Sequence, residues 1–268
     1  MKKTLKITTA LLCLSAATSL SINAQTDKSK ENPKLNDKTT QNGKTEASAN
    51  ALKTPLKPDA TPDELAQAAI AAHGGDKFKN MRSLVLRGTV DVTSSTLNQA
   101  IAGSFVIVFK NDKYRLQIQT PMIQFVQAFD GSETYSSVGN FRLPPLNRMG
   151  LQLLQKSGQP GFKTEALGDK KKRGFRIVSP EGFATDYSLD EKTGRVKSYS
   201  ATYQVGERSA TTIIENDKFR EVEGVLLPEK YAQRFDGMGQ TFYSNFKVKE
   251  ILVNSEIADD VFSSVQPN

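Results

Sequence analysis

Two side chains limit the catalysis open to this chain: it has one histidine, His73, and one cysteine, Cys13. A histidine-dependent triad could be assembled only at His73, and a multi-histidine metal site is excluded. Beside Gly74-Gly75, His73 is better suited to capping carbonyl groups or sitting at a helix–sheet junction. Cys13 stands inside an apolar segment behind Leu12, whereas a lipidated N-terminal cysteine needs a small residue before it and a place after that segment. It reads as apolar filler, and without it the chain can form neither a disulfide nor a thiolate metal site. Among the carboxylates, Glu221 and Glu223 are expected on one face of a strand with no cause for perturbed protonation. Asp236 belongs to a turn and Asp259-Asp260 to a terminal helix. There is no nucleophile elbow, no phosphate-cradling glycine loop before a helix and no histidine-containing zinc signature. The expectation is a noncatalytic protein with no metal and no cofactor.

The remaining chemistry is that of apolar surface, and its spacing defines the elements that present it. Thr61-Pro62-Asp63-Glu64 opens a helix: Thr61 caps it, Pro62 fits the first position and Glu64 closes a capping box. Leu65, Ala68, Ala69 and Ala72 form its apolar stripe, and Gly74-Gly75 ends it. From Ser83 the period becomes two. Leu84, Leu86, Val90 and Val92 alternate with polar residues, then Phe105, Ile107 and Phe109, then Tyr114, Leu116 and Ile118. Further strands are expected near Ile123 to Phe129, Glu133 to Val138, Phe175 to Val178, Thr185 to Leu189, Arg195 to Val205 and Ser209 to Glu215. Asn111-Asp112, Asp130-Gly131, Lys192-Thr193-Gly194 and Val205-Gly206 supply turns. Two long β-type runs flank Asp236-Gly237, which forms a hairpin. Many strands at short intervals predict an antiparallel meander. From Leu143 to Ser157, Leu146, Met149, Leu153 and Leu154 recur at helical spacing, so a helix interrupts the meander and must pack on one face of the sheet. A curved sheet with such a helix leaves an apolar concavity.

The run Phe219 to Pro228, the ending Val253 to Phe262, and, more weakly, Phe129-Asp130-Gly131 to Tyr135 resemble in their order the periplasmic lipoprotein carriers of the LolA/LolB-like superfamily. The Ala-His-Gly-Gly stretch leading into Ser83 to Gly88 looks like the opening of similar domains. The resemblance implies a mainly β fold with few helices, a curved antiparallel sheet forming an incomplete β-barrel with a helical lid near Pro144 to Gln155. It also implies binding, with transport, of an acyl-chain lipid or lipoprotein. Envelope transporter or receptor proteins are the further partners it implies, and a regulatory or scaffolding protein of the envelope is the alternative. If acyl chains occupy the concavity, the expected contacts are Leu86, Phe105, Ile107, Leu116, Ile118, Phe125, Met149 and Leu153.

The rest of the chain bounds this reading. Lys2, Lys3 and Lys6, then the apolar run Ile7 to Leu20, then Ile22-Asn23-Ala24 have the layout of a secretory signal peptide over residues 1–24, cleaved near Ala24, which places the mature chain in the periplasm. The run is too short and too rich in hydroxyls for a membrane anchor. Residues 25–60 have almost no large apolar side chains and are expected to be a disordered linker ahead of a domain at 61–268. The formal charge of +7 divides into three lysines of the leader, a linker excess of two, and 26 basic against 24 acidic residues in the domain. That balance offers no footprint for nucleic acid. The basic cluster Lys170-Lys171-Lys172-Arg173 reads as a solvated hairpin tip, with contact to anionic headgroups as the alternative. The domain is expected to be a monomer.

Overall fold

The computed structural model describes residues 56–96, 99–122, 124–138, 143, 145–169, 171–205, 208–237 and 239–263. The chain divides into a unit Met1–Lys44 and a unit Thr45–Asn268, and every described residue belongs to the second. The expected signal peptide, Cys13 and most of the expected linker therefore lie outside the described residues.

Helix α1 (Pro62–Ala72) starts as its sequence dictates. Glu64 N–H donates to Thr61 Oγ1 at 3.3 Å, and Thr61 N–H donates to the Glu64 carboxylate at 2.8 Å. The buried stripe is Leu65, Ala66, Ala69, Ile70 and Ala72, one position round from the expected one, with Ala68 only half-buried. Gly74 turns the chain at φ +121°; a Cβ there would lie 2.4 Å from Gly224 O, so only glycine allows the helix end to approach that turn. A short helix, α2 (Asp76–Lys79), follows, and sequence periodicity gave no sign of it. Folded structure also begins earlier than Thr61. Leu56 packs against the core, and the carbonyls of Lys57 and Pro58 accept from Arg173.

Twelve strands form one antiparallel sheet. They are β1 (Ser83–Ser94), β2 (Ile101–Lys110), β3 (Lys113–Gln119), β4 (Gln124–Phe129), β5 (Thr134–Ser136), β6 (Lys163–Ala166), β7 (Gly174–Val178), β8 (Ala184–Leu189), β9 (Val196–Val205), β10 (Arg208–Val222), β11 (Val225–Gly237) and β12 (Gln240–Val253). The order is β5-β4-β3-β2-β1-β12-β11-β10-β9-β8-β7-β6. Two meanders are therefore joined through β1 and β12, with β5 and β6 at the outer edges. The chain must cross from one edge to the other between them. A 3-10 turn, Leu146–Arg148, and helix α3 (Gly150–Leu154) lie on that crossing. A twisted sheet of this width curls rather than staying flat. Its inner face carries Leu84, Leu86, Val90, Phe105, Leu227 and Phe246, which pack with α1 and with Leu153 and Leu154 of α3. On the outer face, Val85 and Val108 are covered by Phe262 of the terminal 3-10 turn Asp259–Phe262. Mainly β, open at two edges and lined by helices, this is the predicted fold class.

Four expectations need correction. The β11–β12 turn falls after Asp236-Gly237 and not on it: these two residues pair with Thr241 and Gln240, and the positive φ (+77°) is at Gly239. The helix expected from Leu143 to Ser157 is two short pieces broken at Met149, whose extended backbone (φ −148°, ψ 168°) separates them. Glu221 and Glu223 do not share a strand face, because β10 ends at Val222 and Glu223 turns at φ 54°. Strand β6 was absent from the expected set. Pro228, by contrast, is compatible with its strand: β12 pairs with β11 only from Lys230 onward, so the proline sits where β11 has a neighbour on one side.

Candidate functional site

The crossing segment roofs a cavity of about 120 Å³ against the inner face of the sheet. Leu84, Leu86, Ile107, Phe109, Leu116 and Ile118 come from β1 to β3. Leu143, Leu146, Met149, Leu151 and Gln152 come from the crossing; Tyr199, Ile214, Asn216, Leu227, Pro228, Tyr231, Gln233 and Phe246 come from β9 to β12. Alternation along each strand puts these side chains on one face, and sheet curvature brings the two meanders within reach of the same space.

Of the expected contacts, Leu86, Ile107, Leu116, Ile118 and Met149 line this cavity, and Phe105, Phe125 and Leu153 do not. Phe105 is packed edge-on against Phe246, with ring centroids 5.0 Å apart. Leu153 has no exposed surface and belongs to the core beneath α3, and Phe125 is buried in β4. The lining from β9 to β12 was missed altogether. Its alternation was legible, but nothing in the chain reveals that β12 pairs with β1 and so carries β11 and β10 over the same cavity. Phe109 continues the Phe105–Ile107 alternation and could have been added on that signal.

Polar side chains fasten the crossing on every side. Gln127, fully buried, accepts Leu143 N–H at 2.6 Å and donates to Leu143 O at 3.0 Å, pairing with that backbone as a strand would. Tyr187 OH donates to Gly150 O at 2.7 Å, and Gln155 donates to Phe78 O at 2.6 Å. Asn147 donates to Asp112 O at 2.6 Å. Arg148 grips the Asp112 carboxylate with both terminal nitrogens, at 2.6 and 3.0 Å, and reaches Glu181 at 3.0 Å; Lys156 adds a further bond to Asp112. Asp112 belongs to the β2–β3 hairpin and Glu181 to the β7–β8 turn, so one guanidinium ties the two meanders together through the crossing. Partial burial alone would raise the pKa of Asp112; the hydrogen bonds from Lys156 and Arg148 outweigh it and hold the carboxyl below its ordinary range.

Among the described residues lining the cavity, none carries a charge. Burial raises the pKa values of Tyr199 and Tyr231 far enough to keep both phenols neutral. His73 lies elsewhere, at the helix–sheet junction. It is completely buried, with Nδ1 2.7 Å from Leu226 O and Nε2 accepting Val196 N–H at 3.2 Å. Nδ1 therefore bears the proton, and the neutral ring bridges β11 and β9. Among the described residues there is no cluster of three or more potential metal ligands. No described helix is long and apolar enough to cross a membrane.

No family model and no curated protein matches the sequence. Solved structures do match. A LolA superfamily protein from Nitrosomonas europaea shares 10% identity over 73% of this chain and 97% of its own, with a TM-score of 0.44. A DUF1329 family protein from Desulfovibrio piger shares 8% identity over 76% and 98%, with a TM-score of 0.44. An outer membrane lipoprotein-sorting protein domain from Vibrio parahaemolyticus shares 10% identity over 75% and 95%, with a TM-score of 0.39. The chain is similar to these structures at identities and scores that leave the functional reading to rest on the cavity itself.

Proposed function

We propose that this protein is a noncatalytic binder, and a carrier, of an acyl-chain lipid or lipoprotein in the bacterial periplasm. The observation behind this reading is the uncharged cavity between the crossing and the inner face of the sheet, lined almost throughout by Leu, Ile, Met, Phe and Tyr. Each methylene that leaves water for such a surface contributes about 0.8 kcal/mol. The volume of about 120 Å³ is comparable with the engineered cavity of about 150 Å³ that admits benzene. A long chain therefore enters only as the crossing segment moves away, and that segment is the lid. The same reading makes the domain a monomer that hands its ligand to envelope proteins rather than to nucleic acid.

Displacement of a fluorescent apolar probe tests the site. Ile107→Asp and Met149→Asp strand a charge in the cavity and should weaken probe binding by a factor corresponding to several kcal/mol. Circular dichroism checks that each variant is folded. Folded variants that bind the probe like the parent would remove the cavity from consideration.

A scaffolding role has one observation in its favour: β5 and β6 are the outer edges of the sheet, each paired on one side, which a partner polypeptide can extend by strand addition. Native mass spectrometry of the protein purified from its own envelope separates the readings. A co-purifying acyl species supports the carrier, and a bound polypeptide without lipid supports the scaffold.

A further inference from the structure

The donor and acceptor inventory of the cavity narrows the chemistry of its ligand, an inference that rests on the carrier reading. Within the lining, the polar side chains are Gln152, Tyr199, Asn216, Tyr231 and Gln233. Two of the three amide groups have already committed a donor to the protein. Asn216 Nδ2 donates to Val196 O at 2.9 Å, and Gln233 Nε2 donates to Thr212 Oγ1 at 2.9 Å. Asn216 Oδ1 is buried with no partner in the protein, so this side chain still offers an acceptor beside its second N–H. Among the described residues, the cations of the crossing and its end are committed too: Arg148 is shared between Asp112 and Glu181, and Lys156 is bonded to Asp112. An ionised carboxylate drawn into this space would meet no counter-charge among the described residues that line it. A hydroxyl, an ester or an amide carries no such cost.

We propose that the cavity discriminates between head groups, accepting an acyl or alkyl chain that ends in an uncharged alcohol, ester or amide and rejecting the same chain as a free carboxylate. Fatty acids are then poor ligands, and chains already esterified or amide-linked are good ones.

The test compares 1-decanol, methyl decanoate and sodium decanoate, each below its aggregation limit, as displacers of a fluorescent apolar probe at pH 7.5 from the full mature chain. The two neutral compounds should displace the probe with similar midpoints, and decanoate should be weaker by about tenfold or more. Gln152→Lys places an ammonium in the lining and should invert the order, so that decanoate becomes the better displacer. Leu151→Lys, from a half-buried lid position, serves the same purpose if Gln152→Lys does not fold. Equal displacement by all three compounds in the parent, or an unchanged order in both folded lysine variants, overturns the head-group preference and leaves the carrier reading standing. Failure of the parent to bind the probe or either neutral compound overturns the carrier reading, and this inference with it.

Discussion

His73 is held neutral by its surroundings, and that makes the domain's stability depend on pH in a predictable window. Complete burial lowers its pKa from 6.5 to about 4, with the hydrogen bond to Leu226 O working the other way and Arg195 adding to the depression. The unfolded chain binds this proton more readily than the folded one, so stability is fully present above pH 6.5 and falls as the pH drops toward 4. The loss between pH 7 and 4.5 should be on the order of 2 kcal/mol by urea unfolding. No second histidine titrates in the window, and the depressed carboxyls, Glu64, Glu181 and Glu229 among them, add to the loss only at its acid end. His73→Gln should flatten the slope while lowering stability at pH 7; a variant retaining the parental slope would place the titration elsewhere. Gly150, like Gly74, has a steric reason for its identity. Its φ is +56°, and a Cβ would lie 2.6 Å from the Tyr199 ring. Gly150→Ala should therefore cost about 1–2 kcal/mol from the backbone alone, with a further loss of lid docking visible as faster probe exchange.

At the scale of elements, the crossing segment is the part whose composition and position conflict most with its apparent helicity. Gly150–Leu154 is too short to be stable by itself, so its shape is imposed by the surfaces it docks on. Met149 and Leu151 face the cavity, while Leu153 and Leu154 face the core. The two sets should respond differently to mutation. Leu153→Ala should cost about 2–5 kcal/mol of stability, because it empties a fully buried site. Arg148→Gln should cost far less, within about 1 kcal/mol, since Asp112 and Glu181 are both partly solvated. Its main effect should be kinetic: with the two meanders no longer joined through one guanidinium, the probe should associate faster in stopped-flow measurements. An association rate equal to the parent's would show that the ion cluster does not restrain the lid.

At the scale of the whole domain, residues before Thr61 belong to the folded unit. Leu56 packs on the core, and Arg173 donates to the carbonyls of Lys57 and Pro58, so a cut at Thr61 removes contacts that the folded domain uses. It would also convert the Thr61 N–H of the capping box into a charged terminus. A chain starting at Thr61 should melt several degrees below one starting at Leu56, each kcal/mol being worth about 2–4 °C at this size. The chain starting at Leu56 should melt with the parent. Equal melting temperatures for both truncations would confine the folded unit to residues after Ala60.

Local rules on neighbouring residues determined much of this protein. The capping box at Thr61 and Glu64, the glycine stop after His73, and the alternation of Leu84, Leu86 and Val90 depend on contacts within a few positions, and the structure reproduces each; the hairpin between β11 and β12 was also legible, though its turn falls after Asp236-Gly237. The inward placement of Leu86, Ile107, Leu116 and Ile118 followed from period two alone. Tertiary structure decided whatever depends on partners distant in sequence. The pairing of β1 with β12 brings Tyr231, Gln233 and Phe246 to the same cavity as Leu116, and no local pattern encodes that register. Phe105, Phe125 and Leu153 have the same hydrophobic character as the residues that line the cavity. What separates them is the depth at which curvature and the docked lid leave each side chain, a property of the assembled surfaces rather than of any residue's type.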